Sequence, residues 1–170
     1  TGAALELGSR GEADILLVHD YDREVTFIND GYGTKRHNIM YNDFIYVGPT
    51  ALEATNINDA LQEIIDNHSF YSRGDNSGTH SRELKIWDEN NYDVSTFEDW
   101  YQETGQGMGS TLTMSSISGF YTLTDRGTYL SMKENLNLVV AYENDPQLLN
   151  QYGVIKVNPE LHNREDELAD

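Results

Sequence analysis

Phe70-Tyr71-Ser72-Arg73-Gly74-Asp75-Asn76-Ser77-Gly78-Thr79-His80 is the stretch from which the fold can be read. A short aromatic strand runs into a loop of small and polar residues. Helix-patterned sequence follows from Ser81 to Asn90, with Leu84 and Trp87 expected on its inner face. Strand, loop and helix in this order are the building unit of an α/β domain. The loop ends where a helix begins, so its last backbone N–H groups lack intrahelical acceptors. Glycines let a ligand come close to those groups. Hydroxyls of Ser72, Ser77 and Thr79 add donors, and Arg73 adds a forked cation. With the positive end of the helix dipole, this is the chemistry of an oxyanion seat. The same residue types also cap helices without binding anything. No lysine stands where a nucleotide-binding P-loop requires one. Asp75 has two readings: an acceptor for the proton of a protonated oxyanion, or a scaffold residue that pairs with an arginine or caps the helix.

Outward from this loop, strands alternate with helices. Leu5–Gly11 reads as the end of a helix, and Ala13–His19 as a buried parallel strand. Asp22–Asn29 reads as a helix, and Ile39–Pro49 as a long strand or paired strands stopped by Gly48-Pro49. Asn58–Asn67 is an amphipathic helix with Asn58 as its cap and Leu61, Ile64 and Ile65 as its apolar face. Thr96–Glu103 is read as a short helix, and Ser110–Ser116 as another behind the glycine loop Gly105–Gly109. Gly119–Asp125 is a strand, a helix is expected near Tyr129–Lys133, and Leu138–Tyr142 and Tyr152–Val157 are strands. A helix is expected to start in the acidic tail from His162. The order fits two α/β lobes joined by two chain crossings, with a ligand cleft between them. Residues 1–48 plus 147–170 would form lobe 1, and 49–146 lobe 2.

The chain has 170 residues, enough for one domain or two small lobes. Its formal charge is −18, from 11 basic and 29 acidic residues. That argues against nucleic acid or an anionic membrane as partner. It argues only weakly against a small anion, because surface charge is screened beyond roughly 8–10 Å. There is no cysteine, which excludes disulfides, thiolate metal sites and cysteine nucleophiles. The histidines His19, His37, His68, His80 and His162 show no metal-ligand spacing. No Gly-x-Ser-x-Gly elbow and no distinct catalytic carboxylate pair stands out. The expectation is therefore a non-enzyme, with no cofactor and no metal held directly by side chains. Gly105–Gly109 could close over a ligand or form a plain turn. Tyr121–Thr128 ends a strand with hydroxyls and Asp125-Arg126, and Arg126 could pair with Asp75. His19-Asp20 follows the first strand, where α/β folds place functional loops; packing or capping is the expected role.

Six stretches together resemble the tungstate-binding proteins of bacterial ABC importers, which have the type II periplasmic-binding-protein fold. They are Gly8–His19, Met40–Phe44 with Val47-Gly48-Pro49, Ser72–His80, Glu103–Gly109, Tyr121–Thr128, and Leu149-Asn150 with Tyr152–Ile155. The strings Ser-Arg-Gly-Asp-x-Ser-Gly-Thr-His and Tyr-Thr-Leu-Thr-Asp-Arg-Gly-Thr are the most specific, and a shorter Arg-x-x-x-Ser-Gly-Thr pattern is similar to phosphate-binding relatives. The resemblance implies an extracytoplasmic solute-binding protein, in the periplasm, outside the cell or anchored at its surface. It implies tungstate as ligand with molybdate second, capture by lobe closure, and the permease subunits of an importer as partner to a monomer. Arg73, Ser77, Gly78 and Thr79 carry over as ligand residues, with Ser72 behind them. A hydroxyl-rich Thr/Ser motif is expected upstream of Thr1 and a C-terminal helix after Asp170, so the resemblance implies a sequence incomplete at both ends. Thr50–Ala54 stands where the family has a longer segment. The alternatives are a phosphate or sulfate binder of the same fold, or a sensor or degenerate homologue with no transport role.

Overall fold

The computed structural model describes residues 1–162. In chain order the elements are α1 (Gly2–Ser9), β1 (Ile15–Val18), α2 (Tyr21–Asn29), β2 (Gly33–Gly48), α3 (Ile57–Asn67), β3 (Phe70–Ser72), α4 (Gly78–Glu89), β4 (Tyr101–Glu103), α5 (Met108–Ser118), β5 (Tyr121–Asp125), α6 (Arg126–Met132), β6 (Val139–Tyr142), β7 (Leu149–Val157) and α7 (Pro159–His162). The helix expected in the tail beyond His162 lies outside the described residues. Two compact units divide the chain: Thr1–Tyr41 with the segment from Asn150 onward, and Asn42–Leu149. These borders differ from those expected after residues 48 and 146. The reason is pairing and packing: Phe44–Val47 belongs to the sheet of the second unit, and Leu148 lies in its core.

In the first unit β1 pairs antiparallel with β7, and β7 neighbours β2. The parallel buried strand expected at Ala13–His19 is thus corrected. Only Leu16 and Val18 face the core, with Leu5, Phe27, Ile155 and Val157, while Ile15 and Leu17 are exposed. Asp20 caps α2 by accepting from the Arg23 N–H, and the Glu24 carboxylate in turn accepts from the Asp20 N–H. Fully buried Glu24 also pairs with Arg36 of β2 at 2.5 Å. Gly153 passes against this pair, where a Cβ would stand 2.7 Å from Glu24 Oε2.

In the second unit the strand order is β6-β2-β5-β3-β4. β2 runs antiparallel to β5 and β6, and β3 runs parallel to β4 and β5. Phe44-Ile45-Tyr46-Val47 is buried on both sides. Phe44 and Tyr46 pack with Ile57, Leu61 and Ile64 of α3 and Ile86 and Trp87 of α4. Ile45 and Val47 pack with Met108 and Leu112 of α5 and Tyr129 of α6. Alternation along the strand thus assigns one helix pair to each face. Helix α3 starts earlier than expected, with Asn56 rather than Asn58 as cap, accepting from the Asp59 N–H at 3.0 Å. The helix expected at Thr96–Glu103 is a single 3-10 turn, Val94–Thr96, followed by β4. Aromatic packing decides this: the Tyr101 ring stacks on Phe70 at 5.8 Å, and Phe97 and Trp100 pack on Trp87.

Gly48 marks how tight this core is. A Cβ there would stand 2.3 Å from the ring of Tyr121, which is fully buried and whose hydroxyl is held at Thr50. Gly48→Ala is expected to lower unfolding stability by about 1–3 kcal/mol. Urea denaturation measures it, and an unchanged midpoint would mean that the ring has room to yield.

Candidate oxyanion site

Because β3 runs parallel to β4 and β5, the carboxyl ends of all these strands fall on one edge of the sheet. Loops leaving such an edge are where α/β sheets place ligands. β3 leads through Arg73–Ser77 into α4, and β4 leads through Thr104–Gly107 into α5. Helix α4 begins at Gly78, three residues before the expected Ser81, because Ser77 is its cap: Ser77 Oγ accepts from the His80 N–H at 3.3 Å. Among the described residues the N–H groups of Gly78 and Thr79 have no protein acceptor. Gly78 is exposed and Thr79 half-buried. Ser77 uses its oxygen for the cap and keeps its hydroxyl hydrogen.

Arg73 stands directly before this junction. Its guanidinium pairs with Asp75, and its Nε is buried without a partner among the described residues. Asp75 also accepts from the Ser77 N–H at 3.2 Å. Burial pushes the Asp75 carboxyl up, but the hydrogen bonds from Ser77 and Arg73 outweigh it and hold it below the usual range. Asp75 is therefore the scaffold of its own loop. The pairing expected between Asp75 and Arg126 is not formed. Arg126 is shared by Asp43, at 2.5 Å, and Glu143, at 2.6 Å. Those carboxylates, Asp43 first, push the guanidinium pKa up. Asp125 caps α6 by accepting from the Thr128 N–H at 2.8 Å.

Gly74 (φ +61°) and Asn76 (φ +56°) turn the loop through the left-handed region. At Gly74 a side chain is excluded twice, because a Cβ would also meet the Glu103 side chain at 2.6 Å. The glycine loop braces this turn. The N–H groups of Thr104 and Gly105 donate to the carbonyls of Ser72 and Arg73 at 2.9 Å each, and the Gln106 N–H donates to Thr104 Oγ1. Those amides are therefore used inside the protein, and a second row of free amides does not extend over residues 104–106. His80 Nδ1 accepts from the Asn76 N–H at 3.0 Å, so the ring proton of the neutral form sits on Nε2. Nε2 is buried, 4.0 Å from Glu103.

Ser72 is set apart from the other residues expected to bind the ligand. Its side chain is fully buried, and its hydroxyl donates to Glu83 Oε2 at 2.6 Å. The same carboxylate accepts from Tyr101 Oη at 2.7 Å and Trp87 Nε1 at 3.0 Å. Burial pushes the Glu83 carboxyl up to about 7, against these hydrogen bonds. Leu84 is the residue expected on the inner face, and the structure turns Glu83 inward instead. Spacing of three and four from Ile86 and Trp87 would have found it. On the first unit, His19 follows β1 as expected. Its N–H donates to Thr1 Oγ1 at 3.1 Å, its ring lies 5.0 Å from that of Tyr152, and burial lowers its pKa.

The family pattern described as a PBP superfamily domain matches residues 1–170. The chain belongs to the PBP superfamily. Within it, the chain is 47% identical over 168 residues to the tungstate-binding protein TupA of Peptoclostridium acidaminophilum, covering 94% of this chain and 58% of that protein. It is 40% identical over 169 residues to TupA of Campylobacter jejuni, covering 94% and 62%. The solved tungstate-binding protein TupA from Desulfovibrio alaskensis G20 superposes with a TM-score of 0.87 at 42% identity, over 96% of this chain and 69% of that one. The chain thus spans little more than half the length of these curated relatives.

Glu83 makes the fold sensitive to pH. In the unfolded chain it titrates near 4.5, and in the folded one at about 7. The folded state therefore holds the proton more tightly. This contribution is complete below the unfolded value and is lost as pH rises through the folded one. Relative to Glu83→Gln, the wild-type protein is expected to lose stability from about pH 5 to about pH 8, by on the order of 3 kcal/mol at most. Urea unfolding of both proteins at these pH values measures it. A constant difference would mean that Glu83 does not titrate there.

Proposed function

We propose that the protein is the solute-binding component of an ABC importer and captures an oxyanion, tungstate first and molybdate second. The observation that carries this reading is the junction of Arg73 with α4. Among the described residues the buried Nε of Arg73 has no partner, and the same loop ends at the Gly78 and Thr79 N–H groups, which have no protein acceptor there. The hydroxyls of Ser77 and Thr79 complete the donors. The seat as proposed comprises Arg73, Ser77, Gly78 and Thr79, and omits Ser72, whose hydroxyl serves Glu83. The tungstate-binding relatives support the choice of anion.

A doubly charged, fully deprotonated oxyanion only accepts hydrogen bonds, so a seat lined by donors suits it. Hydrogen phosphate needs an acceptor for its proton. Asp75, the nearest carboxylate in the loop, already accepts from Arg73 and Ser77 through separate oxygens. This favours tungstate over phosphate as ligand. The reading includes an extracytoplasmic location, permease subunits as partners, a monomeric state, and binding without chemical conversion. The split near residues 41 and 149 is taken as a division into two lobes.

Arg73→Ala is expected to weaken tungstate binding at least tenfold, about 1.4 kcal/mol or more. Calorimetry on the variant checks this, and unchanged affinity would remove Arg73 from the seat. Sodium tungstate is expected to raise the Tm of the wild-type protein with the logarithm of its concentration. Competition decides the anion: phosphate displacing tungstate at equal concentration would replace this reading with the phosphate one.

A further inference from the structure

We infer that Glu83 is the positioning residue of the oxyanion seat: its buried carboxylate ties the end of β3 to the start of β4 and so fixes Arg73 and the loop that braces it. The inference rests on the reading of Arg73 and the start of α4 as an anion seat. Its observations are geometric. Glu83 is 2% exposed, one turn beyond His80 on α4. One oxygen accepts from Ser72 Oγ, the residue before Arg73, and the other accepts from Tyr101 Oη and Trp87 Nε1. The carbonyls of Ser72 and Arg73 then accept from the Thr104 and Gly105 N–H groups, in the loop that follows the strand Tyr101 opens. One side chain of α4 thus sets the register of both loops that leave this edge of the sheet. A buried carboxylate is costly unless its lone pairs are met by donors, and here hydroxyl, phenol and indole supply them. Apolar residues fill the surrounding core, so packing alone gives no reason for a carboxylate at this point.

Protonation is the natural way to release the tie. A neutral carboxyl keeps a single good acceptor oxygen and becomes a donor, so the bonds to Ser72 and Tyr101 can no longer both be held as they are. The ionisable groups around Glu83 are Tyr101 and Glu103 of β4 and Tyr46 of β2, with Arg73 beyond Ser72 and His80 one turn earlier on α4. Burial pushes both phenols up, away from neutrality, and burial pushes Glu83 up to about 7. Glu83 therefore changes state across neutral pH while the phenols do not.

The test compares the wild-type chain with Glu83→Gln, which keeps the shape and mimics the neutral acid. Sodium tungstate affinity is measured by calorimetry from about pH 8 to about pH 6, and hydrogen exchange is followed at the Thr104 and Gly105 amides. At the upper pH the variant is expected to bind at least about fivefold more weakly, the loss of roughly one hydrogen bond of positioning. Wild-type affinity is expected to fall toward the variant's as the pH is lowered, while the variant's stays flat. Exchange at Thr104 and Gly105 is expected to be faster in the variant. Equal affinities, the same pH dependence in both proteins, or wild-type affinity that rises on acidification would each overturn the inference. Should Glu83→Gln fail to fold, Tyr101→Phe removes one tie while keeping the ring on Phe70; weaker binding at the upper pH and faster exchange at Thr104 and Gly105 are then expected, and unchanged affinity or unchanged exchange overturns the inference. A wild-type chain that binds no tungstate refutes the function and leaves the exchange comparison to decide on Glu83, unchanged exchange overturning it.

Discussion

The parallel pairing of β3 with β4 and β5 is the constraint on which the rest of the second unit depends. Parallel neighbours need a crossover, and each crossover here carries a helix back along the sheet. The strands therefore all end on one edge, and the loops that begin α4 and α5 leave from that edge. The pairing requires a sheet covered on both faces. Phe44–Val47 supplies this, sending alternate side chains to α3 and α4 on one side and to α5 and α6 on the other. The donor-rich junction at Arg73–Thr79 is thus a consequence of topology, which gathers backbone N–H groups at a place where the chain must turn. In the proposed seat, specificity would be added by few side chains: a guanidinium, a pair of hydroxyls, and a carboxylate that keeps the turn in shape.

What could be read from the sequence follows from how local each signal is. The Ser72–His80 loop was legible because its parts are neighbours in the chain: glycine for the turn, Ser77 for the cap, Arg73 for charge. The apolar face of α3 was legible from its period. β4 was not, because Phe97, Trp100 and Tyr101 suit a helix face as well as a strand, and only their packing on Phe70 and Trp87 selects the strand. The partner of Arg126 was out of reach for the same reason. Asp43 and Glu143 are distant in sequence, and the pairing of β2 with β5 and β6 brings them to it. Ser72 shows the limit most clearly. Composition placed its hydroxyl among the ligand donors, whereas the helix period turns Glu83 inward to receive it.

The proposed anion seat lies on a chain of net charge −18, which needs a physical account. Surface carboxylates beyond roughly 8–10 Å contribute little through screened solvent, so the local balance decides. Locally the guanidinium of Arg73 is partly offset by Asp75, which leaves directed N–H groups rather than net positive charge as the means of holding an anion. That arrangement has a chemical consequence. Net charge attracts any anion, while fixed donors discriminate by the number and direction of lone pairs they meet. Asp75, held below the usual carboxylate range by Ser77 and Arg73, stays an engaged acceptor across the pH range in which the anions in question change protonation. In the proposed seat, preference therefore falls to the anion that has no proton to place, while the shape of the turn follows the state of Glu83.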